Sequence, residues 1–403
     1  MIVQKYGGSS AADTAKIRKI AHRAVAAKEN GNQVVVVISA MGDTTDGLLE
    51  LAHEMAEHPD ERELDSLLST GEIVSSTLLA MAIKSLGHPA ISLSGSQAGI
   101  QTDDTHSHAR ISGITPERIL RELDKGCIVV VAGFQGVTKE MDITTLGRGG
   151  SDTTAVALAV SLKADMCHIF TDVEGVFTAD PRLEPKGLKL KEVDYEEMME
   201  LATYGARVMH PRAVEIGQIY KMPILVASSF NDQSGTVIRG GMCMEVRNKV
   251  RGIAHDVNVA KVTIMGVPDR PGIATAIFEP LAKANVSVDT IVQNASIDDM
   301  TDLTFTVARN DLSKALEVVT PMIKEIAAKG IAHDAKLGKV SIVGSGMQNT
   351  PGYAARMFRA LYDAGINIEL ITTSEIRITC LVHESKVPEA VRALHKAFNL
   401  DEA

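Results

Sequence analysis

Two short glycine-rich segments carry the side chains best suited to anion chemistry. Lys5-Tyr6-Gly7-Gly8-Ser9-Ser10 sets an ammonium at the end of a β-branched run and follows it with two residues that have no side chain. Bare backbone of this kind lets a phosphate approach N–H donors while the ammonium adds a point charge, which suits a triphosphate. Read alone, the hexapeptide is better explained as an ordinary turn with a solvated Lys5. A second segment, Thr144-Thr145-Leu146-Gly147-Arg148-Gly149-Gly150-Ser151-Asp152-Thr153-Thr154, places another donor-rich turn directly before an Ala-rich helix. A helix N-terminus attracts anions, so the pair of segments implies two anionic substrates. Arg148 offers a planar fork for a carboxylate, while Ser151 and Asp152 would serve equally as helix caps.

Two common phosphate motifs are absent: the chain has no G-x-x-x-x-G-K-[ST], and no G-x-G-x-x-G follows its first strand. His106-Ser107-His108 lacks further ligands nearby and reads as a surface loop, so no metal site is expected.

The elements that must position these segments alternate strand and helix over about the first 230 residues, which predicts an α/β class with a mostly parallel sheet sandwiched by helices. Strands are expected at Ile2–Tyr6, Val34–Ile38, Ala90–Leu93, Ile128–Ala132, Met166–Thr171 and Ile224–Ala227. The unbroken apolar run Val34 to Ile38 should lie centrally, buried on both faces. Asp13 is placed to cap an Ala-rich helix that stops at Asn30-Gly31, and further helices are predicted over 60–83, 153–162 and 211–220.

A stretch rich in Gly, Asn, Asp and Ser marks a linker, set at 231–257, between a first domain at 1–230 and two modules at 258–335 and 336–403. Those modules are an internal repeat. Lys261-Val262-Thr263-Ile264, Pro271-Gly272, Phe278, Leu281 and Ala284 recur as Lys339-Val340-Ser341-Ile342, Pro351-Gly352, Phe358, Leu361 and Ala364. Each copy reads βαββα, an antiparallel sheet with helices on one face, and two such sheets suit edge-to-edge pairing.

Composition narrows the function classes. The 403 residues carry a net charge of −10 and no Trp, the wrong footprint for nucleic acid. Four scattered cysteines fit neither a zinc site nor a disulfide scaffold and point to a reducing compartment. The N-terminus has no signal-peptide pattern and the apolar runs are too short to span a bilayer, so a cytoplasmic protein without membrane partners is expected.

Taken together, Lys5 to Ser10, Ser69-Thr70-Gly71-Glu72, Thr144 to Asp152, Phe170-Thr171-Asp172-Val173-Glu174-Gly175-Val176-Phe177-Thr178-Ala179-Asp180-Pro181-Arg182 and His210-Pro211 resemble the aspartokinases of the amino-acid kinase family along essentially the whole chain. The repeated modules look like the ACT domains such kinases carry. The resemblance implies phosphoryl transfer from ATP with Mg²⁺ to the side chain of L-aspartate. The implied product is 4-phospho-L-aspartate, and the implied place is the first step of lysine, threonine and methionine biosynthesis.

By resemblance, Lys5 and Asp152 are catalytic. Gly7, Gly8, Ser9, Ser10, Thr171, Asp172, Phe177, Asp180 and Arg182 surround the nucleotide, and Ser39, Thr45, Glu72, Arg148, Gly149, Gly150 and Ser151 hold aspartate. Many relatives have Lys where this chain has Arg207, which weakens a nucleotide contact there. An amino-acid substrate needs a cation for its α-carboxylate and an anion for its α-ammonium, roles that Arg148 and Glu72 fit. Taken singly, Glu72 reads as a solvated helix residue and Asp172 as a turn former.

Lysine, threonine or both are the implied effectors. In the first module Asp269, Gly272, Ala274, Gln293 and Asn294 would meet them, and in the second Met347, Asn349, Asn367, Ile368, Ser374 and Glu375. A homodimer through the ACT modules is implied, or a heterotetramer with a short regulatory chain started at Met242 or Met244. Two alternatives stay open: another amino-acid kinase, acting on acetylglutamate or glutamate, and a non-catalytic amino-acid sensor.

Overall fold

The computed structural model describes residues 1–205, 208–241, 250–294, 299–347 and 350–402. Arg207, Asn349, Met242 and Met244 lie outside them. The chain divides into two compact units, Met1–Phe177 with Lys189–Met244, and Thr178–Leu188 with Glu245–Ala403.

The first unit opens with β1 (Ile2–Tyr6), α1 (Thr14–Glu29) and β2 (Val34–Ile38). Helices α2 (Thr44–Met55) and α3 (Glu61–Ser85) lead to β3 (Ala90–Leu93), β4 (Ile100–Thr102), β5 (Ile111–Ile114), α4 (Glu117–Asp124) and β6 (Ile128–Ala132). Then come β7 (Gln135–Val137), β8 (Ile143–Thr145), α5 (Gly150–Ser161) and β9 (Met166–Thr171). The unit closes with β10 (Glu192–Val193), α6 (Tyr195–Thr203), α7 (Pro211–Tyr220), β11 (Ile224–Ser228) and β12 (Thr236–Ile238). The main sheet runs β10-β12-β11-β9-β1-β2-β6-β3, with β11 and β12 antiparallel and every other neighbouring pair parallel. A small sheet, β5-β4-β7-β8, stands apart from it.

Local chemistry accounts for these elements. Every residue of β2 is buried between β1 and β6, and Val34, Val36 and Ile38 join the core formed with α1 and α3. Asp13 accepts from the Lys16 amide at the start of α1, which ends at Asn30 with Gly31 at φ +87°. Asp60 caps α3 in the same way through the amides of Arg62 and Glu63.

By length and composition α3 is long enough to cross a membrane, although the sequence reading put every apolar run short of that. It is instead a core helix: Leu68, Leu79, Ala80 and Ile83 are buried, and so are Asp65 and Glu72. Helix α5 begins at Gly150, earlier than the predicted Thr153, which brings Ser151 and Asp152 into its first turn.

The second unit contains β13 (Gly252–Pro268), α8 (Ile273–Lys283), β14 (Val288–Gln293), β15 (Met300–Val307) and α9 (Leu312–Glu325). The same order repeats as β16 (Gly330–Val343), α10 (Tyr353–Asp363), β17 (Leu370–Thr373), β18 (Arg377–His383) and α11 (Val387–Ala397). The two βαββα modules share one antiparallel sheet, β14-β15-β13-β16-β18-β17, joined where β13 pairs with β16 from Gly252↔Val343 to Met265↔Gly330. Each module has its own core, one centred on Ile264, Ile277, Leu281 and Phe305, the other on Val340, Met357, Leu361 and Leu394. Within the stretch read as a linker, β12 belongs to the main sheet of the first unit and the opening residues of β13 to the sheet of the second.

Candidate active site

Six parallel strands described in the first unit end on the same edge of its sheet: β1 at Tyr6, β2 at Ile38, β3 at Leu93, β6 at Ala132, β9 at Thr171 and β11 at Ser228. The chain passes from β1 to β2 on one side and later sets β9 on the other side of β1. The loops after β1 and β9 therefore flank a switch point of strand order, the place where open α/β sheets bind ligands.

Directly after β1, Gly8–Ala11 forms a single 3₁₀ turn in which the amides of Ser10 and Ala11 donate to the Gly7 carbonyl. A Cβ on Gly7 would lie 3.3 Å from Lys5 Nζ, and one on Gly8 would lie 3.1 Å from the Gly42 carbonyl and 3.2 Å from that of Ala40. Both glycines thus let other groups close on the turn: the ammonium on one side and the backbone after β2 on the other. Ser9 is exposed, and its carbonyl accepts from Lys16 Nζ at 2.9 Å. Ser10 is buried, and its hydroxyl donates to Ser229 Oγ at 2.8 Å, tying the turn to the loop after β11.

Lys5 Nζ forms an ion pair with Asp152 Oδ1 at 2.7 Å, both side chains nearly buried. That contact brings the two glycine-rich segments together. Gly147 and Gly149 take φ of +76° and +70°, which aims the chain into α5. Asp152 Oδ2 accepts from the His210 amide at 3.1 Å. Ser151 sits against Gly133, where a Cβ would lie 2.9 Å from Ser151 Oγ. Arg148 is exposed and Gly150 is buried.

Glu72 is 3% exposed rather than solvated, because Gly71 lets α3 press against the turn after β2: a Cβ on Gly71 would lie 2.9 Å from Ala40 Cβ. Its Oε1 accepts from the Ala40 amide at 3.1 Å, and its buried Oε2 has no hydrogen-bond partner. Burial pushes its pKa up to about 7, partly offset by the Ala40 amide. A half-satisfied carboxylate of this kind is ready for a cation with N–H donors. Ser39 and Thr45, on either side of Ala40 and Gly42, are half-exposed.

On the β9 side, Thr171 Oγ1 donates to Asp172 Oδ1 at 3.1 Å, the Thr171 carbonyl accepts from the Ser229 amide, and Asp172 is exposed. Phe177 pairs with Lys189 in an isolated bridge, and the chain between them, Thr178–Leu188, belongs to the second unit. Asp180 and Arg182 lie in that excursion. Arg182 donates to Asp180 through Nε and Nη2, the latter at 2.7 Å, and holds the Asp180 carboxyl below its usual range.

The candidate effector residues divide by end of the sheet. Asp269, Gly272, Ala274 and Gln293 are exposed at one end of the first module, where Pro268 pairs with Met300 and Thr301 Oγ1 donates to the Asn294 carbonyl. In the second module Ser374 and Glu375 are exposed between β17 and β18, whereas Asn367 and Ile368 precede β17. The four residues of β17 separate the two pairs, a span of about 13 Å at the usual rise per residue. Asn367 donates to Glu369, Ile368 packs against the module core, and Met347 is part of that core.

Sequence reasoning missed three residues that shape the site, Asp65, Gly133 and Arg212, and gave a fourth, His210, no role beyond its motif. Asp65 on α3 is fully buried and accepts from the Ser107 and Thr145 amides, each at 2.9 Å, from Thr145 Oγ1 at 2.5 Å, and from the ring of His106 at 3.1 Å. Gly133 makes room for Ser151, while the His210 amide and the Arg212 guanidinium reach the second glycine-rich segment. The signal for His210 was the His-Pro pair, which marks a helix start; the other three carried none.

Residues 1–228 match the amino acid kinase family, and residues 261–320 and 340–398 each match the ACT domain. The chain is 50% identical to an aspartokinase of Mycolicibacterium smegmatis over 99% of its own length and 96% of the relative's. It is 41% identical to an aspartate kinase from Synechocystis, with a TM-score of 0.56, covering 99% of this chain and 69% of that one. E. coli aspartokinase III shares the fold at 24% identity. Its complex with aspartate and ADP gives a TM-score of 0.82 over 98% and 99% of the two chains, and its complex with lysine and aspartate gives 0.75 over 99% of each. With its kinase fold, both ACT modules and half of its residues shared with a relative over nearly the full length of both chains, the protein belongs to the aspartokinases, a family of ATP-dependent kinases.

Proposed function

We propose that this protein transfers the γ-phosphate of ATP to the side-chain carboxylate of L-aspartate, giving 4-phospho-L-aspartate, in the cytoplasm at the entry to lysine, threonine and methionine biosynthesis. The observation that carries the reading is the Lys5–Asp152 ion pair, which joins the two glycine-rich segments beside the switch point of the sheet.

The acceptor carboxylate is already ionised near neutral pH, since such groups titrate near ~3.9, so the reaction needs no strong base. Charge repulsion is the barrier to overcome. Lys5 and the backbone of Gly7, Gly8 and Ser9 face the phosphates, and Asp152 orients the ammonium. Arg148 takes the α-carboxylate and Glu72 the α-ammonium, with Ser39, Thr45, Gly149, Gly150 and Ser151 closing around the substrate. Thr171, Asp172, Phe177, Asp180 and Arg182 serve the nucleotide. Mg²⁺ arriving with ATP would neutralise phosphate charge. Catalysis is then by positioning and electrostatics.

The reading extends to regulation: lysine, threonine or both bind the ACT modules and bias the kinase between two states. The complex of E. coli aspartokinase III with lysine supports this. Edge strands β14 and β17 leave the sheet of the second unit open to a second copy, which favours a homodimer through that sheet; a heterotetramer with an internally started chain is the other assembly. The domain division 1–230, 231–257, 258–335 and 336–403 belongs to the same reading.

Hydroxylamine traps an acyl phosphate as a coloured hydroxamate. Colour that depends on both aspartate and MgATP, and that falls when lysine or threonine is titrated in at millimolar concentration, is expected. No colour with aspartate refutes the catalytic assignment, and colour indifferent to both amino acids refutes the regulatory one.

A further inference from the structure

The first turn of α7 grips the second glycine-rich segment at three points. His210 is the N-cap of α7: its Nδ1 accepts from the Arg212 amide at 3.3 Å, and Pro211 occupies the first helical position. Its own amide donates to Asp152 Oδ2. Its ring covers Gly149, where a Cβ would come within 2.4 Å of the ring Cδ2 and 2.6 Å of Cβ and Cγ. Arg212 then donates through Nη1 to the Leu146 carbonyl and through Nη2 to the Ala109 carbonyl, each at 2.9 Å. The Ala109 amide in turn donates to the Thr145 carbonyl, so the segment from Thr145 to Asp152 is held along its length.

We infer that His210 and Arg212 are positioning residues for the acceptor substrate: they fix the turn at Gly147–Gly149, and with it the direction in which Arg148 projects. The inference rests on the proposed role of Arg148 in aspartate binding.

Physical reasons favour this over a purely structural part. A residue at φ +70° with no side chain has little to hold it in one conformation, and Gly149 is exposed on its outer side. The His210 ring supplies a wall on the inner side, and its burial keeps its pKa below the ordinary value, so Nδ1 stays an acceptor for the helix. Arg212 uses its fork on two backbone carbonyls, which fixes both strands of chain that flank the turn. The turn that these contacts fix carries Arg148 between Gly147 and Gly149.

The test uses the full-length protein. His210→Asn keeps a side-chain acceptor for the Arg212 amide and the backbone donor to Asp152 but removes the ring; Arg212→Gln removes the fork. In each variant KM for aspartate is expected to rise about tenfold or more, as small misplacements of a substrate-holding group do. KM for ATP and the melting midpoint should stay close to the parent's. Gly149→Ala should be severely impaired, and His210→Gly in the same chain should recover part of the loss, because it removes all three ring and Cβ atoms that the new methyl would strike. An unchanged KM for aspartate in both variants overturns the inference, and so does a parallel rise of both KM values with a fallen melting midpoint. If the parent forms no hydroxamate with aspartate, the failure lies with the proposed function instead.

Discussion

Lys5 Nζ stands 2.7 Å from Asp152 Oδ1, so residues far apart in the sequence share one nearly buried charge pair. The same carboxylate accepts the His210 amide, and the same ammonium lies beside Gly7. Asp152 therefore fixes the ammonium over the turn rather than leaving it to sample the edge of the sheet.

Replacing either partner should cut turnover. Lys5→Met and Asp152→Asn are expected to lower kcat by about 10²-fold or more, the usual cost of losing a pre-aimed charge at a transferring group. Lys5→Met removes the charge facing the phosphates, and Asp152→Asn only its anchor, so the first loss should be the larger. Arg148→Ala is expected instead to act chiefly on KM for aspartate. Steady-state kinetics in both substrates separates the cases, and near-normal turnover in Lys5→Met sinks the assignment.

Glu72 should make aspartate binding pH-dependent. Its folded pKa, about 7, lies above the ordinary Glu value of 4.5, because burial disfavours the charged form. The folded state holds this proton more tightly than the unfolded chain does. Its stabilising contribution is therefore complete below pH 4.5 and lost as the pH rises through about 7. Glu72→Gln should stabilise the unliganded protein above that pH by an amount on the order of 3 kcal/mol. An ammonium needs the carboxylate, so KM for aspartate should fall about tenfold per pH unit as pH rises toward 7 and then level off. The Gln variant should bind weakly with no such slope.

Asp65 is a second buried carboxylate with the opposite character, since its oxygens already meet four donors. Asp65→Ala should destabilise the first unit by about 3 kcal/mol, because the amides of Ser107 and Thr145 lose their acceptor in a buried site. Urea denaturation reads this directly. A midpoint within error of the parent would show that water replaces the carboxylate.

Gly133→Ala probes the packing under Ser151. The new methyl would meet Ser151 Cβ and Oγ and Val37 Cγ1, each at 2.9 Å. Overpacking of this kind costs roughly 1–3 kcal/mol. The shift of Ser151 should also raise KM for aspartate, whereas a thermal loss with unchanged KM would remove Ser151 from the aspartate site.

The sequence by itself determined much of this protein. β1, β2, β3, β6 and β9 stand where their apolar runs put them, and α1 begins at the Asp13 cap and ends before Gly31. The repeat was legible as two βαββα modules, because duplicated spacing survives without any knowledge of packing. Strands such as β4, β7 and β8 were not legible, since three-residue strands have no measurable period and exist only where partners align them.

Tertiary structure alone decided the state of Glu72 and Asp65. Both sit on α3 among residues of mixed polarity, and only the approach of Ala40 to one and of Thr145 to the other makes them buried carboxylates. It also decided that Thr178 to Arg182, which read as one motif with Thr171 and Asp172, belong with the rest of Thr178–Leu188 to the second unit. There Ala179 packs into the core of the second module and Thr178 Oγ1 lies 3.0 Å from His395 Nε2 on α11. Local sequence records propensity and turns; which distant group meets a given carboxylate or hydroxyl is set by how the sheet edges and helices converge.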